Sequence, residues 1–445
     1  MNGLISALCP PEIVKSNSPD AAKATPVNFA AVETLDYASW SHSVKERVGG
    51  RRVPLAGTFE LTRRCNNRCR HCYNNLPAND SKALAAELGT DEIKRILGET
   101  AEAGCIWLLL TGGEILLRPD FLEIYRHAKG RGLLVTLFTN GTLVTPKLAD
   151  ELAGLRPFSI EITLYGCTAE TYERVTGVPG SFRRCMEGVR LLMDHALPLK
   201  LKSTLCALNV HEIWEIKRFA EQDLGLPFRF DALLNARCDG SLRPLDVRLS
   251  PEEVVALDLA DAERMRALQE LARRPRVAAP VPTDTFPLYV CGGGATSFAI
   301  DPYGRLRACA LSAGDGYDLR AGSFQAGWDP YLSRVRKLTS GSDTKCTRCS
   351  LRSLCGMCPA NGELECGDPR HPVDFLCRVA HLRAYAMGME IPAHGPCSYC
   401  PGGGRHEEML RVAERLEKRT RNEVRVPTST FHSDSIFAHA RKSCC

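Results

Sequence analysis

The chain has no run of about 18 apolar residues in its 445, so no transmembrane helix is expected. It opens Met1-Asn2-Gly3-Leu4 without a basic stretch leading into a long apolar core, so no signal peptide is expected either. Its net charge of +5 is small for this length, and no Lys/Arg-rich run stands out, which argues against nucleic acid as a partner. The composition is not biased: a hydrophobic fraction of 44% and a charged fraction of 24% are those of an ordinary globular protein. A cytosolic protein is expected, long enough for two domains or for one large barrel with an appendage.

What the chain has in excess is cysteine, with 21 residues. Disulfide frameworks belong to small secreted domains, and this chain meets neither condition. In a reducing compartment, clustered cysteines point to thiolate ligands for metal. Scattered ones such as Cys105, Cys167, Cys185, Cys206 and Cys238 sit among apolar residues and read as small buried hydrophobes.

Residues 1–50 carry no clear period and read as a partly ordered N-terminal arm. From Leu55 a strand–helix rhythm begins. β-rich apolar runs occur at 55–61, 106–110, 133–138, 158–164, 199–205 and 228–234. Stretches with helical spacing lie between them, at 91–103, 119–131, 145–154, 182–195 and 211–223. Residues 251–273 read as one long amphipathic helix with Ser250 as N-cap and acidic residues in the first turn. Alternation of this kind implies a parallel sheet with right-handed crossovers. Six units suit a partial (β/α)6 TIM-like barrel over 51–275, with a doubly wound sheet as the alternative. The rhythm stops at a Pro-rich joint near 275. A Gly-, Cys- and turn-rich region spans 285–395 and is too poor in periodic segments to bury much apolar surface, so metal clusters are its natural staples. A C-terminal extension, 396–445, regains helical periodicity at 405–419.

Cys65-x3-Cys69-x2-Cys72 follows the first expected strand directly, where barrel-like sheets gather functional residues. Three thiolates leave one iron of a 4Fe–4S cubane without a protein ligand, open to a chelating amine and carboxylate. A structural zinc site would want a fourth ligand, and His71 is hemmed between two of the cysteines. The pattern resembles the radical S-adenosylmethionine superfamily. The likeness extends to Thr111-Gly112-Gly113-Glu114 at the end of the second strand and Thr139-Asn140-Gly141 at the end of the third. It continues with Thr163 on the fourth and Arg174 beyond it. It covers roughly residues 55–275.

What the resemblance implies is a cluster on Cys65, Cys69 and Cys72 that cleaves S-adenosylmethionine reductively to a deoxyadenosyl radical. Gly112, Gly113 and Glu114 would meet the methionine ammonium, with glycine allowing close approach of the backbone. Thr139 and Asn140 would lie at the ribose. Thr163 and Arg174 would hold the methionine carboxylate, which a guanidinium fork fits.

A second constellation begins at Cys291, followed by Gly304 and Cys309. Then come Cys346-x2-Cys349-x5-Cys355-x2-Cys358, and later Cys366 and Cys377. It resembles the SPASM extension, which carries one or two auxiliary 4Fe–4S clusters. By that pattern Cys346, Cys349, Cys355 and Cys377 hold an outer cluster, and Cys291, Cys309 and Cys358 an inner one. The spacing departs from the family in having two residues, not three, before Cys358. Cys366 is the candidate fourth inner ligand, an open iron the alternative. Zinc ribbons are the competing reading of the C-x2-C pairs. Cys397-x2-Cys400 and the terminal Cys444-Cys445 fall outside the pattern, and metal binding or thiol exchange are both open for them.

The expected function is therefore radical modification of a ribosomally made peptide or protein, by a thioether or carbon–carbon crosslink. Residues 170–183 resemble the corresponding stretch of peptide-maturing members. An electron donor such as flavodoxin or ferredoxin is implied. The first 50 residues are too few for a precursor-recognition domain, so a separate recognition protein or the N-terminal arm would recruit the substrate. Haem-pathway tetrapyrrole chemistry is the runner-up, followed by sulfatase-type maturation. A non-catalytic metal scaffold is the alternative from another class. No general base stands out; Asp315 is a position to test.

Overall fold

The computed structural model describes residues 36–273, 286–312, 314–340, 345–346, 349–394 and 396–423, with side chains as far as residue 418. Cys444, Cys445, most of the N-terminal arm and most of the Pro-rich joint lie outside them.

Six strands alternate with helices as the periodicity implied: β1 (Ala56–Thr62), β2 (Trp107–Gly112), β3 (Leu134–Thr139), β4 (Ser159–Thr163), β5 (Leu199–Thr204) and β6 (Phe228–Asp231). All neighbours among them pair parallel, in sequence order, which makes the mixed α/β sheet of a partial barrel. The crossover helices include Thr90–Glu102, Phe121–Gly130, Pro146–Gly154, Ala169–Thr176, Ser181–Asp194 and Ile213–Arg218. Successive side chains of a strand face opposite sides. Phe59, Leu61, Leu108, Leu110, Val135, Leu137, Ile160, Ile162, Leu199 and Leu201 all join the apolar layer beneath the helices.

The sheet does not end at β6 and β1. Three further strands, β7 (Ser297–Ile300), β8 (Arg305–Arg307) and β9 (Tyr317–Asp318), extend it beyond β1 in the order β9-β8-β7-β1. The C-terminal region therefore begins as an edge of the barrel sheet. Gly304, at φ +84°, closes the β7–β8 turn and donates to Asp301 O at 3.1 Å. The glycine between Cys291 and Cys309 thus supplies a left-handed turn that brings the two cysteine-bearing strand ends back to each other.

Three expectations change. Residues Tyr37–Val48 of the N-terminal arm form a helix, α1, capped by Asp36 and stopped by Gly49 at φ +52°. Tyr37, Trp40, Val44 and Val48 lie on one stripe, and Tyr37 OH accepts from Trp107 Nε1 at 2.6 Å. The helix packs at the start of β2. The single helix expected over 251–273 is two, α2 (Pro251–Ala260) and α3 (Ala262–Arg273). Asp261 breaks it, because its carboxylate accepts from the amides of Glu263 and Arg264 and caps a new helix. Ser250 does cap α2, in a capping box with Glu253. Beyond the sheet the chain forms α4 (Pro359–Cys366), α5 (Asp374–Ala386) and α6 (His406–Glu423). Of these, α4 and α5 had no counterpart in the periodicity of the sequence. A second apolar core joins α2, α5 and α6 to Phe230 of β6.

Candidate active site

The cysteine triplet lies where β1 ends. Two backbone contacts dock its loop on the next strand: the amides of Gly113 and Glu114 donate to Thr62 O and Arg64 O at 2.7 and 2.9 Å. A Cβ on Gly113 would lie 2.3 Å from Arg64 O, and one on Gly112 would lie 2.1 Å from Thr62 O. The two glycines therefore admit the cysteine loop itself. Beneath them Arg64 forms a bidentate pair with Glu87, at 2.9 and 3.0 Å, and Thr62 Oγ1 donates to the same carboxylate. Arg118 joins this buried network through Asp120 and the carbonyls of Leu61 and Leu88.

Glu114 is fully buried. Its carboxylate accepts from Thr139 Oγ1 and Asn140 N–H, both at 2.7 Å, and from Leu116 N–H at 3.0 Å. That strap ties the end of β2 to the end of β3, leaving about one of the four lone-pair sites unused. Asn140, so held, donates to Asn66 Oδ1 at 2.8 Å and to Cys65 Sγ at 3.8 Å. Asn66 returns a bond to Thr142. Thr163 ends β4 half-buried. Arg174 is exposed and donates to Leu208 O at 2.8 Å. Its helix, Ala169–Thr176, nevertheless touches the cysteine loop, because Thr176 O accepts from Arg68 N–H at 2.7 Å.

The triplet's own environment fits an iron–sulfur group. Cys65 and Cys69 are buried, and burial dominates their acidity, with the Cys65 thiol pushed up to about 12. Cys69 and Cys72 are raised too, first by burial and for Cys69 also by the neighbouring thiols. Such thiols ionise only beside positive charge, which irons would supply. Asn67 Oδ1 and Nδ2 and His71 Nδ1 are buried at the same loop with no hydrogen-bond partner among the described residues. Unpaired polar atoms beside the three thiols fit a bound group at this loop.

The opposite, concave face of the strands carries residues that the sequence reading passed over. Glu60 accepts from Tyr73 and Asn74, and burial raises its pKa. Glu161 on β4 meets Arg229 on β6 at 2.7 Å and Lys202 on β5 at 3.5 Å. Burial pushes Glu161 up, but Lys202 and Arg229 outweigh it and leave the carboxyl below its usual range. Burial lowers Lys202 to about 7. A signal was present: charged residues alternate with apolar ones in FEL, IEI, LKLKS and FRFD. A strand buried on both faces by apolar layers would not alternate so.

The other cysteines divide. Cys291, Cys309 and Cys358 are electrostatic neighbours, as are Cys346, Cys349, Cys355 and Cys377, and Cys397 and Cys400 border the second group. Cys366 stays apart: it is exposed, with Glu365 and Asp368 as its charged neighbours. Cys358 caps α4 and Cys366 ends it. Eight residues at about 1.5 Å rise put them roughly 12 Å apart. Cys238, expected to be a small hydrophobe, packs like Cys309 against a small apolar core that includes Cys358. Its amide donates to Tyr73 O at 2.9 Å and its thiol to Ala310 O at 3.7 Å, so one residue links the first cysteine loop to the Cys309 loop. Arg237 adds bonds to Cys72 O and to Asn75. Asp315 is exposed and no partner places it in this group.

Residues 59–222 match the family described as the radical SAM superfamily. The AdoMet-dependent heme synthase of Methanosarcina barkeri is 28% identical over 332 residues, spanning 71% of this chain and 94% of that protein. The PqqA peptide cyclase of Bradyrhizobium diazoefficiens is 32% identical over 164 residues, 37% of this chain and 42% of that one. Streptococcus suis SuiB, solved bound to S-adenosylmethionine, shares the fold at 15% identity with a TM-score of 0.54, over 76% of this chain and 81% of that chain. No helix among the described residues is long and apolar enough to cross a membrane.

Proposed function

From the premise that residues 59–222 are a radical SAM domain, and the chain a radical SAM enzyme, we propose that it modifies a ribosomally made peptide by radical chemistry, forming a thioether or carbon–carbon crosslink. The observation that carries this reading is the link through Arg237 and Cys238, which sets the Cys65–Cys72 loop against the Cys291/Cys309/Cys358 group. A substrate seated between them would face both.

Cys65, Cys69 and Cys72 hold the 4Fe–4S cluster, which with S-adenosylmethionine supplies one-electron reductive cleavage and a deoxyadenosyl radical. Asn140 steadies Cys65 by its bond to the sulfur, and Glu114 positions Asn140 and Thr139. Gly112 and Gly113 keep the loop seated on β2, with the backbone there facing the methionine ammonium. Arg174 and Thr163 receive the methionine carboxylate. The charged concave face, with Glu60, Glu161, Lys202 and Arg229, orients the substrate chain. Cys346, Cys349, Cys355 and Cys377 hold an outer auxiliary 4Fe–4S cluster, and Cys291, Cys309 and Cys358 hold an inner one. A small redox protein such as flavodoxin or ferredoxin reduces the first cluster, and a separate recognition protein presents the peptide. The work is done in the cytoplasm, where thiols stay reduced.

The second reading, tetrapyrrole side-chain chemistry, rests on a specific observation: the haem-synthase relative aligns over 94% of its length, the peptide cyclase over 42% of its own. One experiment separates the two. The anaerobically reconstituted protein is reduced with S-adenosylmethionine and offered either a co-encoded small peptide or a tetrapyrrole bearing carboxylate side chains. Hydrogen-mass losses in the peptide support the first reading, and decarboxylated tetrapyrrole with unchanged peptide overturns it. Absence of deoxyadenosine under every condition would sink both.

A further inference from the structure

Four side chains outside the constellations described above converge on one point. His381 projects from α5, and His394, Cys397 and Cys400 come from the turn-rich stretch that follows it. All four are buried, and their potential ligand atoms lie within 4.8 Å of one another. His381 Nε2 is 3.2 Å from Cys400 Sγ and 3.5 Å from Cys397 Sγ, and His394 Nδ1 is 3.2 Å from Cys400 Sγ. A tetrahedral zinc with Zn–S of about 2.3 Å and Zn–N of about 2.0–2.1 Å has ligand-to-ligand edges of roughly 3.3–3.8 Å. The observed separations lie close to that range.

The surroundings are built to hold these atoms in place. His381 Nδ1 donates to Cys377 O at 2.7 Å, which fixes the tautomer and leaves Nε2 with its lone pair toward the thiols. The loop carrying the cysteines folds tightly on itself. Gly403 N–H donates to Cys400 O at 2.8 Å, and a Cβ on Gly403 would lie 2.5 Å from Cys397 O. Tyr385 OH donates to Tyr399 O, and Tyr399 OH donates to Asp374 at the start of α5. The loop is thereby fastened to the helix that supplies the first histidine.

We propose that His381, His394, Cys397 and Cys400 hold one structural zinc ion, distinct from the iron–sulfur centres. Four protein ligands of mixed nitrogen and sulfur, closed and buried, are the donor set of a structural zinc site. A Rieske-type two-iron cluster also takes two cysteines and two histidines, but on different irons, so its cysteine and histidine donors sit farther apart than these four. Zinc at this point would clamp the segment carrying His394, Cys397 and Cys400 onto α5. The inference stands whether the substrate is a peptide or a tetrapyrrole.

The test uses the full-length protein, purified anaerobically with its clusters reconstituted. Metal analysis is expected to give one zinc per chain beside the iron. Zinc-edge X-ray absorption is expected to show two sulfurs at about 2.3 Å and two nitrogens at about 2.0–2.1 Å. In the Cys397→Ser/Cys400→Ser variant the zinc disappears while iron per chain and deoxyadenosine release hold. Loss of iron in that variant would assign the two cysteines to a cluster and overturn the proposal. So would an unmodified protein that takes up no zinc when supplied with it, leaving these contacts as thiol–imidazole hydrogen bonds. Should the double variant fail to fold, the absorption spectrum of the unmodified protein decides, since a shell without two sulfurs and two nitrogens overturns the assignment.

Discussion

Cysteine does two different jobs in the two halves of this molecule. In the barrel, Cys105 and Cys185 lie inside the main apolar core, and burial lifts each thiol to about 12. They behave as small hydrophobes that stay protonated. In the C-terminal region Cys346, Cys349 and Cys355 are only half-buried, and Cys349 and Cys355 border a smaller core. Apolar burial alone accounts for the two barrel cysteines. By the proposed function, the C-terminal cysteines would tie loops together as metal ligands. The difference separates cysteines that add to apolar burial from cysteines that the proposed function gives to metal.

The strongest challenge to that division is Cys65→Ser. It should leave the barrel folded by circular dichroism and abolish deoxyadenosine release, because the proposed function gives this cysteine to the cluster and not to the core. A comparable loss of folded structure would show the barrel to be metal-dependent as well. Next comes removal of all metal by an anaerobic chelator. Hydrogen exchange in α5 and α6 should speed by orders of magnitude while β1–β5 keep their protection. Uniform loss across the chain would erase the comparison.

Within the barrel, Glu87→Gln removes the partner of the buried Arg64 and should cost about 3 kcal/mol, read as a drop in thermal stability with iron content retained. Smaller is the effect at the seam between the halves. A Cβ on Gly57 of β1 would lie 2.5 Å from the Phe298 ring of β7, which is itself packed on Phe324 and Trp328. Gly57→Ala should therefore cost about 1–3 kcal/mol by overpacking; a neutral result would mean the seam is loose.

The smallest effect lies on the barrel's outer surface, where His195 pairs with Asp150 at 2.9 Å and its pKa is raised by that hydrogen bond. A raised histidine adds stability that is complete below its unfolded pKa of about 6.5 and fades as pH rises through the folded value. His195→Gln should thus lower the melting temperature slightly at pH 6 and not at pH 9. A gap that widened with pH would reverse the assignment.

Much of the barrel was legible because its signals are local. The six strands and the helices between them fall within a few residues of the periodic segments, and Ser250 caps as expected. The α1 stripe of Tyr37, Trp40, Val44 and Val48 was also present, but its spacing is sparse and polar residues dilute it. The role of Gly112 and Gly113 was not legible. A glycine pair at a strand end reads equally as room for a ligand or room for another loop, and only the 2.7 Å bond to Thr62 O shows the loop. The separation of Cys366 from Cys358 was not legible for a similar reason. Position along the chain favoured Cys366, while the helix between Cys358 and Cys366 carries it away.

The sequence by itself determined the order of strands and helices and the site of the Cys65–Cys72 loop after the first strand. It also determined which residues alternate across each strand, since these follow from hydrophobic period and from ligands a few residues apart. The tertiary structure decided what those features meet. It set β7 against β1, aimed Glu161 at Lys202 and Arg229, and brought His381 to Cys397 and Cys400. Contacts between segments depend on how helices and sheets pack, and no short-range period records that.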